Sequence, residues 1–315
     1  MTPKLISCVK IWDAEPHCAL TDLIHFHGLW FCTFRESDEH VYGKDGTIRI
    51  IQSADGISWK TAAEFREEGS DLRDPKLSIT PDGNLMLLLG VTIYREKKYV
   101  TRQSRVCFSK DGFSWSPMHK VLAPHEWLWR VTWHEGIAYG VSYISSDPKT
   151  SNEDWIVKLY KSKNGFDYDL IQQWDIPGYP SETTVQFLDG KMIALVRRGK
   201  GHDNHVWIGT SAPPYTDWQW SDAGHHLGGP NFIILPNKNM WAAGRIVEYT
   251  PYGIFEKTCL AKMTEKKVTP ILIVPSGGED TSYPGLAYDG GIIWMSYYSS
   301  HEGSTAIYLA KIGID

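Results

Sequence analysis

Apolar residues along this chain come in short runs that pair off across two-residue turns, and the paired pattern recurs six times. The turns are His27-Gly28, Asp82-Gly83, Glu135-Gly136, Asp189-Gly190, Asn237-Lys238 and Asp289-Gly290. An acidic residue or Asn followed by Gly readily takes the positive φ angles of a type I′ turn, whose twist matches two antiparallel strands. Each copy therefore predicts a hairpin. The second turn residues are separated by 55, 53, 54, 48 and 52 positions, a period that fits one four-stranded propeller blade.

A second hairpin signal lies between the first ones. Ser53, Asp55, Gly56 and Trp59 form one copy, Ser109, Asp111, Gly112 and Trp115 another, and Ser162, Asn164, Gly165 and Tyr168 a weaker third. Here Asp or Asn closes the turn through local hydrogen bonds, Gly takes the unusual backbone angles, and the aromatic ring is expected between neighbouring sheets. Thr210 to Trp220 reads as a degenerate copy interrupted by Pro213-Pro214. The unassigned run Lys4 to Trp12 is expected to pair with Ile307 to Ile312 and close the ring, which leaves no open edge. The prediction is an all-β chain: a single domain over 1–315, a six-bladed β-propeller with four antiparallel strands per blade.

Composition narrows the function classes. With 315 residues and 42% hydrophobic content the chain can bury a sizeable core, and 14 Trp, 16 Tyr and 28 Gly suit many short strands joined by tight turns. A net charge of −5 excludes the basic profile of a nucleic-acid binder. The longest apolar stretch, Leu85 to Val91, falls far short of the roughly 20 residues of a membrane-spanning helix. No long apolar export segment opens the chain. The five cysteines, an odd count without a C-x-x-C pair, argue against a disulfide framework and for a reducing, cytoplasmic compartment. No metal or cofactor is expected: His25 with His27, and His225 with His226, lack a third ligand at a suggestive spacing.

Register suggests which residues meet. Seven positions beyond the second turn residue lie Arg35, Arg197 and Arg245 in three hairpins, and Gly90, Tyr143 and Tyr297 in the others. Opposite them on the inner strands fall Asp22, Arg73 with Asp74, Arg130, Glu182, Asn231 and Tyr283. Pairing brings all of these to the end of the blade away from its turn, around one mouth of the channel. Converging arginines repel one another unless carboxylates or an anionic ligand compensate them. Structural salt bridges to Asp22, Asp74 and Glu182 are the plainer account; an acidic saccharide, gripped by the planar guanidinium forks, is the sharper one. Tyr283 has a phenol that attacks only if a carboxylate takes its proton, and Glu182 is the available base.

Taken with the Asp-box-like turns, three segments carry a family likeness: Ser181-Glu182 through Asp189-Gly190 to Arg197, Gly244-Arg245, and Thr281-Ser282-Tyr283-Pro284. Across nearly its full length the chain resembles the sialidase, or neuraminidase, superfamily of six-bladed propellers. The resemblance implies that an arginine triad holds a sugar carboxylate, that Tyr283 activated by Glu182 attacks the anomeric carbon, and that an Asp serves as acid/base. Arg197 and Arg245 take two of the triad places. The first inner strand reads Ala19-Leu20-Thr21-Asp22 and lacks the family's arginine, so Arg35 or Arg73 stands in. For the acid/base, Asp38, Asp45 and Asp74 compete, with His40 in the same loop as the first two.

Two rival functions remain. Asp22, Arg73-Asp74-Pro75 and Glu182 also resemble the three-carboxylate sites of five-bladed furanosidase-type propellers acting on neutral sugars, which six hairpins disfavour. An aromatic-rich channel could equally bind glycans without catalysis, because fold alone does not establish chemistry.

Overall fold

The computed structural model describes residues 2–145, 155–199, 204–250 and 253–314. β1 (Lys4–Trp12) opens the chain, and blade one follows as β2 (His17–Phe26), β3 (Leu29–Ser37), β4 (Thr47–Ser53) and β5 (Lys60–Phe65). Blade two holds β6 (Asp71–Ile79), β7 (Leu85–Arg95), β8 (Lys98–Ser109) and β9 (His119–Val121). Blade three holds β10 (Trp127–His134), β11 (Ile137–Ile144), β12 (Ile156–Ser162) and β13 (Asp169–Trp174). Blade four holds β14 (Pro180–Leu188), β15 (Lys191–Arg198), β16 (Trp207–Ser211) and β17 (Gln219–Asp222). Blade five holds β18 (Gly228–Ile234), β19 (Met240–Thr250), β20 (Gly253–Met263) and β21 (Val268–Ile273). Blade six holds β22 (Thr281–Asp289), β23 (Ile292–Ser299) and β24 (Ala306–Gly313), and β1 pairs with β24 as its fourth, outermost strand. Six antiparallel four-stranded sheets result, and no helix occurs among the described residues. The expected ring closure is present, with Cys8 opposite Ala310.

The core lies between blades. Trp30 of blade one stacks on Trp294 of blade six with centroids 4.1 Å apart, as offset aromatic pairs prefer. The Ser-x-Asp-Gly turns explain the regularity. Asp111 Oδ1 accepts from the N–H groups of Phe113 and Ser114, both at 2.8 Å. Trp115 packs edge-on against Phe65 of the preceding blade. Gly112, at a φ of 82°, lies so close to Phe31 that an added Cβ would come within 2.4 Å of the ring. The degenerate copy still makes a hairpin, in which Trp218 donates to the carbonyl of Tyr215 at 2.9 Å.

None of the five cysteines is paired. Among the described residues no helix is long and apolar enough to cross a membrane.

Candidate functional site

All six inner strands carry one extra residue at the same level. Pairing steps from Ala19↔Arg35 to Asp22↔Thr33 in blade one and from Arg73↔Gly90 to Lys76↔Leu88 in blade two. Blades three to six repeat the step, at Leu128↔Ser142, Pro180↔Arg198, Gly228↔Arg245 and Ser282↔Tyr298. A bulge of this kind bends the strand and re-aims its side chains. The first bulge residue is left-handed in four blades, with φ of 66° at Leu20, 50° at Asp74, 57° at Gly229 and 50° at Tyr283. Non-glycine residues enter that region at a cost of roughly 1–2 kcal/mol each, and such strain gathers where a side chain is aimed at a ligand.

The bulges correct the counting of the arginines. They lie at slightly different distances from the hairpin turns, so a fixed count slips by one residue between blades. Arg35 and Arg245 share the pairing position just before the bulge, but in blade four that position belongs to Arg198, and Arg197 is one residue off. A one-residue slip turns a side chain to the other face of the sheet. Arg197 accordingly faces Glu182, and Arg198 donates through Nε to the carbonyl of Pro177 at 2.7 Å.

Tyr283 and Glu182 do meet. The Tyr283 hydroxyl donates to Glu182 Oε1 at 2.6 Å, and Arg197 Nη1 reaches the same oxygen at 2.5 Å and the phenol oxygen at 3.3 Å. Glu182 Oε2 is buried and has no hydrogen-bond partner among the described residues. Burial, and next the charge of Glu182, push the Tyr283 phenol well above its ordinary value, so at rest it holds its proton. A cavity of about 710 Å³ opens over Tyr283, Glu182, Asp74, Arg73 and His40. Burial raises the Asp74 carboxyl, with Arg73 and Lys76 pulling the other way.

The other expected residues divide. Arg73 lines the cavity and is held by Asp71 Oδ2 at 3.0 Å and the carbonyl of His40 at 2.7 Å. Arg245 is paired with Asp280 and Glu256, each at 3.0 Å. Arg35 is wholly buried away from the cavity lining, bound to Asp71 Oδ1 at 2.8 Å and the Glu39 carbonyl at 2.9 Å. Asp22 and Arg130 form a bidentate pair, both bonds 2.9 Å, that ties blade one to blade three across the channel. Asn231 donates to the carbonyl of Pro284 at 3.0 Å and serves packing. Asp38 is exposed outside the cavity lining and closes its own loop by accepting from Lys44 N–H at 2.7 Å. Asp22, Arg130, Asn231 and Asp38, like Arg35, Arg197 and Arg245, do not line the cavity that holds Tyr283.

No protein-family model matches the chain, and no curated protein sequence does. Solved structures do match. A Dyadobacter fermentans protein of unknown function aligns at 16% identity and a TM-score of 0.83 over 99% of both chains. Trypanosoma rangeli sialidase aligns at 12% identity and a TM-score of 0.72, covering 98% of this chain and 58% of that one. The Fusarium graminearum α-L-arabinofuranosidase aligns at 13% identity and a TM-score of 0.67 over 98% of both. The chain shares the six-bladed propeller fold of these proteins. Identities this low show that fold and no more.

Sequence reasoning missed two parts of the site. The first is the wall built by the long β7–β8 hairpin, where Arg102 lies over the rings of Trp127 at 5.3 Å and Tyr143 at 4.9 Å, beside Lys97 and Lys98 on the cavity lining. The cluster Arg95-Glu96-Lys97-Lys98 at a hairpin tip was the available signal. The second is a group that could hold a metal: His17, His40 and Asp280 offer ligand atoms all within 4.8 Å of one another. Burial, helped by His40 and Arg35, brings His17 down to about 4.

Proposed function

We propose that this protein is a retaining glycoside hydrolase acting on an acidic sugar, with Tyr283 as nucleophile, Glu182 as its base and Asp74 as acid/base. The observation that carries the reading is the 2.6 Å hydrogen bond from the Tyr283 hydroxyl to Glu182 Oε1 at the cavity floor. In the first step the Tyr283 oxygen bonds to the anomeric carbon, its proton passes to Glu182, and the leaving oxygen takes a proton from Asp74. In the second, water attacks the same carbon as its bond to the Tyr283 oxygen breaks, Asp74 accepts the water's proton, and Glu182 returns its proton to the released phenolate. A neutral nucleophile suits an anionic sugar, which would repel a carboxylate. Four cationic side chains on the cavity lining, Arg73, Lys97, Lys98 and Arg102, against Asp74 and Glu182, favour a negatively charged ligand.

A neutral-sugar reading has two observations in its favour: Asp74 and Glu182 both line the cavity, as a two-carboxylate mechanism requires, and an arabinofuranosidase aligns over 98% of both chains, so six blades do not count against it. Asp22, locked to Arg130, takes no part in it. Tyr283→Phe separates the two. On aryl glycosides of sialic or related ulosonic acids, kcat falls by about 1,000-fold or more while KM changes by less than about threefold. Retained turnover in Tyr283→Phe, with loss in Glu182→Gln on an aryl arabinofuranoside, selects the neutral-sugar mechanism.

A further inference from the structure

We propose that His17, His40 and Asp280 bind a divalent transition-metal ion, with zinc as the best fit, at the junction of blades one and six. His17 begins β2, His40 lies in the loop after β3, and Asp280 immediately precedes β22, so the chain brings them together only when the ring closes.

Three observations converge. The ligand atoms all lie within 4.8 Å of one another, and His40 Nδ1 is 3.1 Å from Asp280 Oδ2. Two ligands on a tetrahedral zinc are about 3.3 Å apart, given bonds of roughly 2.0–2.1 Å, so that pair already stands at ligand spacing. His17 is 8% exposed, yet neither of its ring nitrogens has a hydrogen-bond partner among the described residues. Buried polar groups are nearly always satisfied, and one that is not asks for an explanation. Its ring stands edge-on to His40, centroids 5.2 Å apart. Finally, the outer shell is in place: Asp280 Oδ1 accepts from Arg245 at 3.0 Å and from the Tyr298 hydroxyl at 2.9 Å, which fixes the carboxylate and leaves Oδ2 to the ion.

Two imidazole nitrogens and one carboxylate oxygen select borderline metals over calcium or magnesium. Three protein ligands leave a fourth position open, the arrangement of a reactive rather than a structural zinc. His40 lines the cavity, so that position takes a water or a ligand oxygen from the cavity side. The nearby guanidinium of Arg35 is balanced by Asp71 and that of Arg245 by Glu256, which leaves room for a cation.

The test uses the full chain stripped with a chelator and dialysed. Calorimetric titration with Zn²⁺ gives one ion per chain, and Co²⁺ gives the visible absorption of a low-symmetry nitrogen-oxygen site. His17→Gln and His40→Ala each weaken binding by at least the roughly 10–100-fold that loss of a mere outer-shell partner costs, whereas His134→Ala, remote from the group, leaves it unchanged. If circular dichroism shows that His17→Gln does not fold, the more exposed His40 decides. Absence of Zn²⁺ uptake by the native chain, or undiminished uptake in His40→Ala, overturns the proposal. None of these measurements depends on catalytic turnover.

Discussion

Asp74 occupies the first bulge residue of β6 with a φ of 50°, and its carboxyl reaches the cavity without a salt-bridge partner of its own among the described residues. Burial raises it. Asp38, by contrast, is held down by the N–H of Lys44 and so stays ionised where Asp74 is still protonated. A general acid must carry its proton at working pH, so the environment favours Asp74 for the proton to the leaving oxygen. The sign follows directly: activity that needs protonated Asp74 is present at low pH and lost as pH rises through its raised value, above the roughly 4 of a free aspartic acid. We expect kcat/KM to show this descending limb. Asp74→Asn removes the limb and lowers the rate by about 100- to 10,000-fold on a poor leaving group, less on a nitrophenyl glycoside. Asp38→Asn keeps both limb and rate. pH–rate profiles of the two variants check the assignment, and a limb that follows Asp38 instead refutes it.

At the scale of strands and turns, the recurrent Gly positions do two different jobs. Gly28 and Gly112 have φ of 77° and 82°, so alanine is strained at either, yet an added Cβ meets nothing within 4 Å at Gly28 and would come within 2.4 Å of Phe31 at Gly112. Gly28→Ala is therefore expected to cost about 1 kcal/mol, and Gly112→Ala about 1–3 kcal/mol more through overpacking. Urea unfolding of the pair measures the difference; equal losses would mean that the turn does not seat against the neighbouring blade. The contrast also shows what was legible beforehand. Asp-Gly and Asn-led turns announce their geometry through local chemistry, and with them all six inner hairpins, the second hairpins of blades one to four and the closing strand are legible, whereas the β20–β21 pair of blade five carries no such mark. Bulges have no such mark. Ala19 through Asp22 and Ser181 through Thr183 look like continuous strand, and the extra residue shows only in how β2 and β14 pair with their neighbours. A fixed count from the turn therefore puts Arg197 in the register of Arg35 and Arg245, one residue from its pairing in β15. That Tyr283 and Glu182 meet is legible because the likeness of Ser181-Glu182 and Ser282-Tyr283-Pro284 to a known pattern is local.

Across the whole molecule, the candidate site is assembled from blades that are distant in sequence. Tyr283 comes from blade six, Glu182 and Arg197 from blade four, Asp74 from blade two, and only closure of the ring brings them together. His17 and Asp280 stand 263 residues apart, so no spacing rule could have joined them. Two devices hold the ring. Inside, the bidentate Asp22–Arg130 pair braces blade one against blade three in a nearly dry setting, where breaking one partner costs about 3–5 kcal/mol. Outside, β1 supplies the fourth strand of blade six from the opposite end of the chain. Without it, β24 would present an open edge with Tyr308, Leu309 and Ala310, all buried in the closed ring, and unpaired edges template aggregation. Removing residues 1–12 is therefore expected to lower the melting temperature by about 10 °C or more, since losing several kcal/mol in a large domain moves it roughly 2–4 °C per kcal/mol. The shortened chain should also aggregate with concentration, measured by scattering alongside calorimetry. Adding β1 back as a free peptide should restore both, because the groove it fills is preformed by β24. A shortened chain that stays monomeric at the original melting temperature would place ring closure in the channel brace alone.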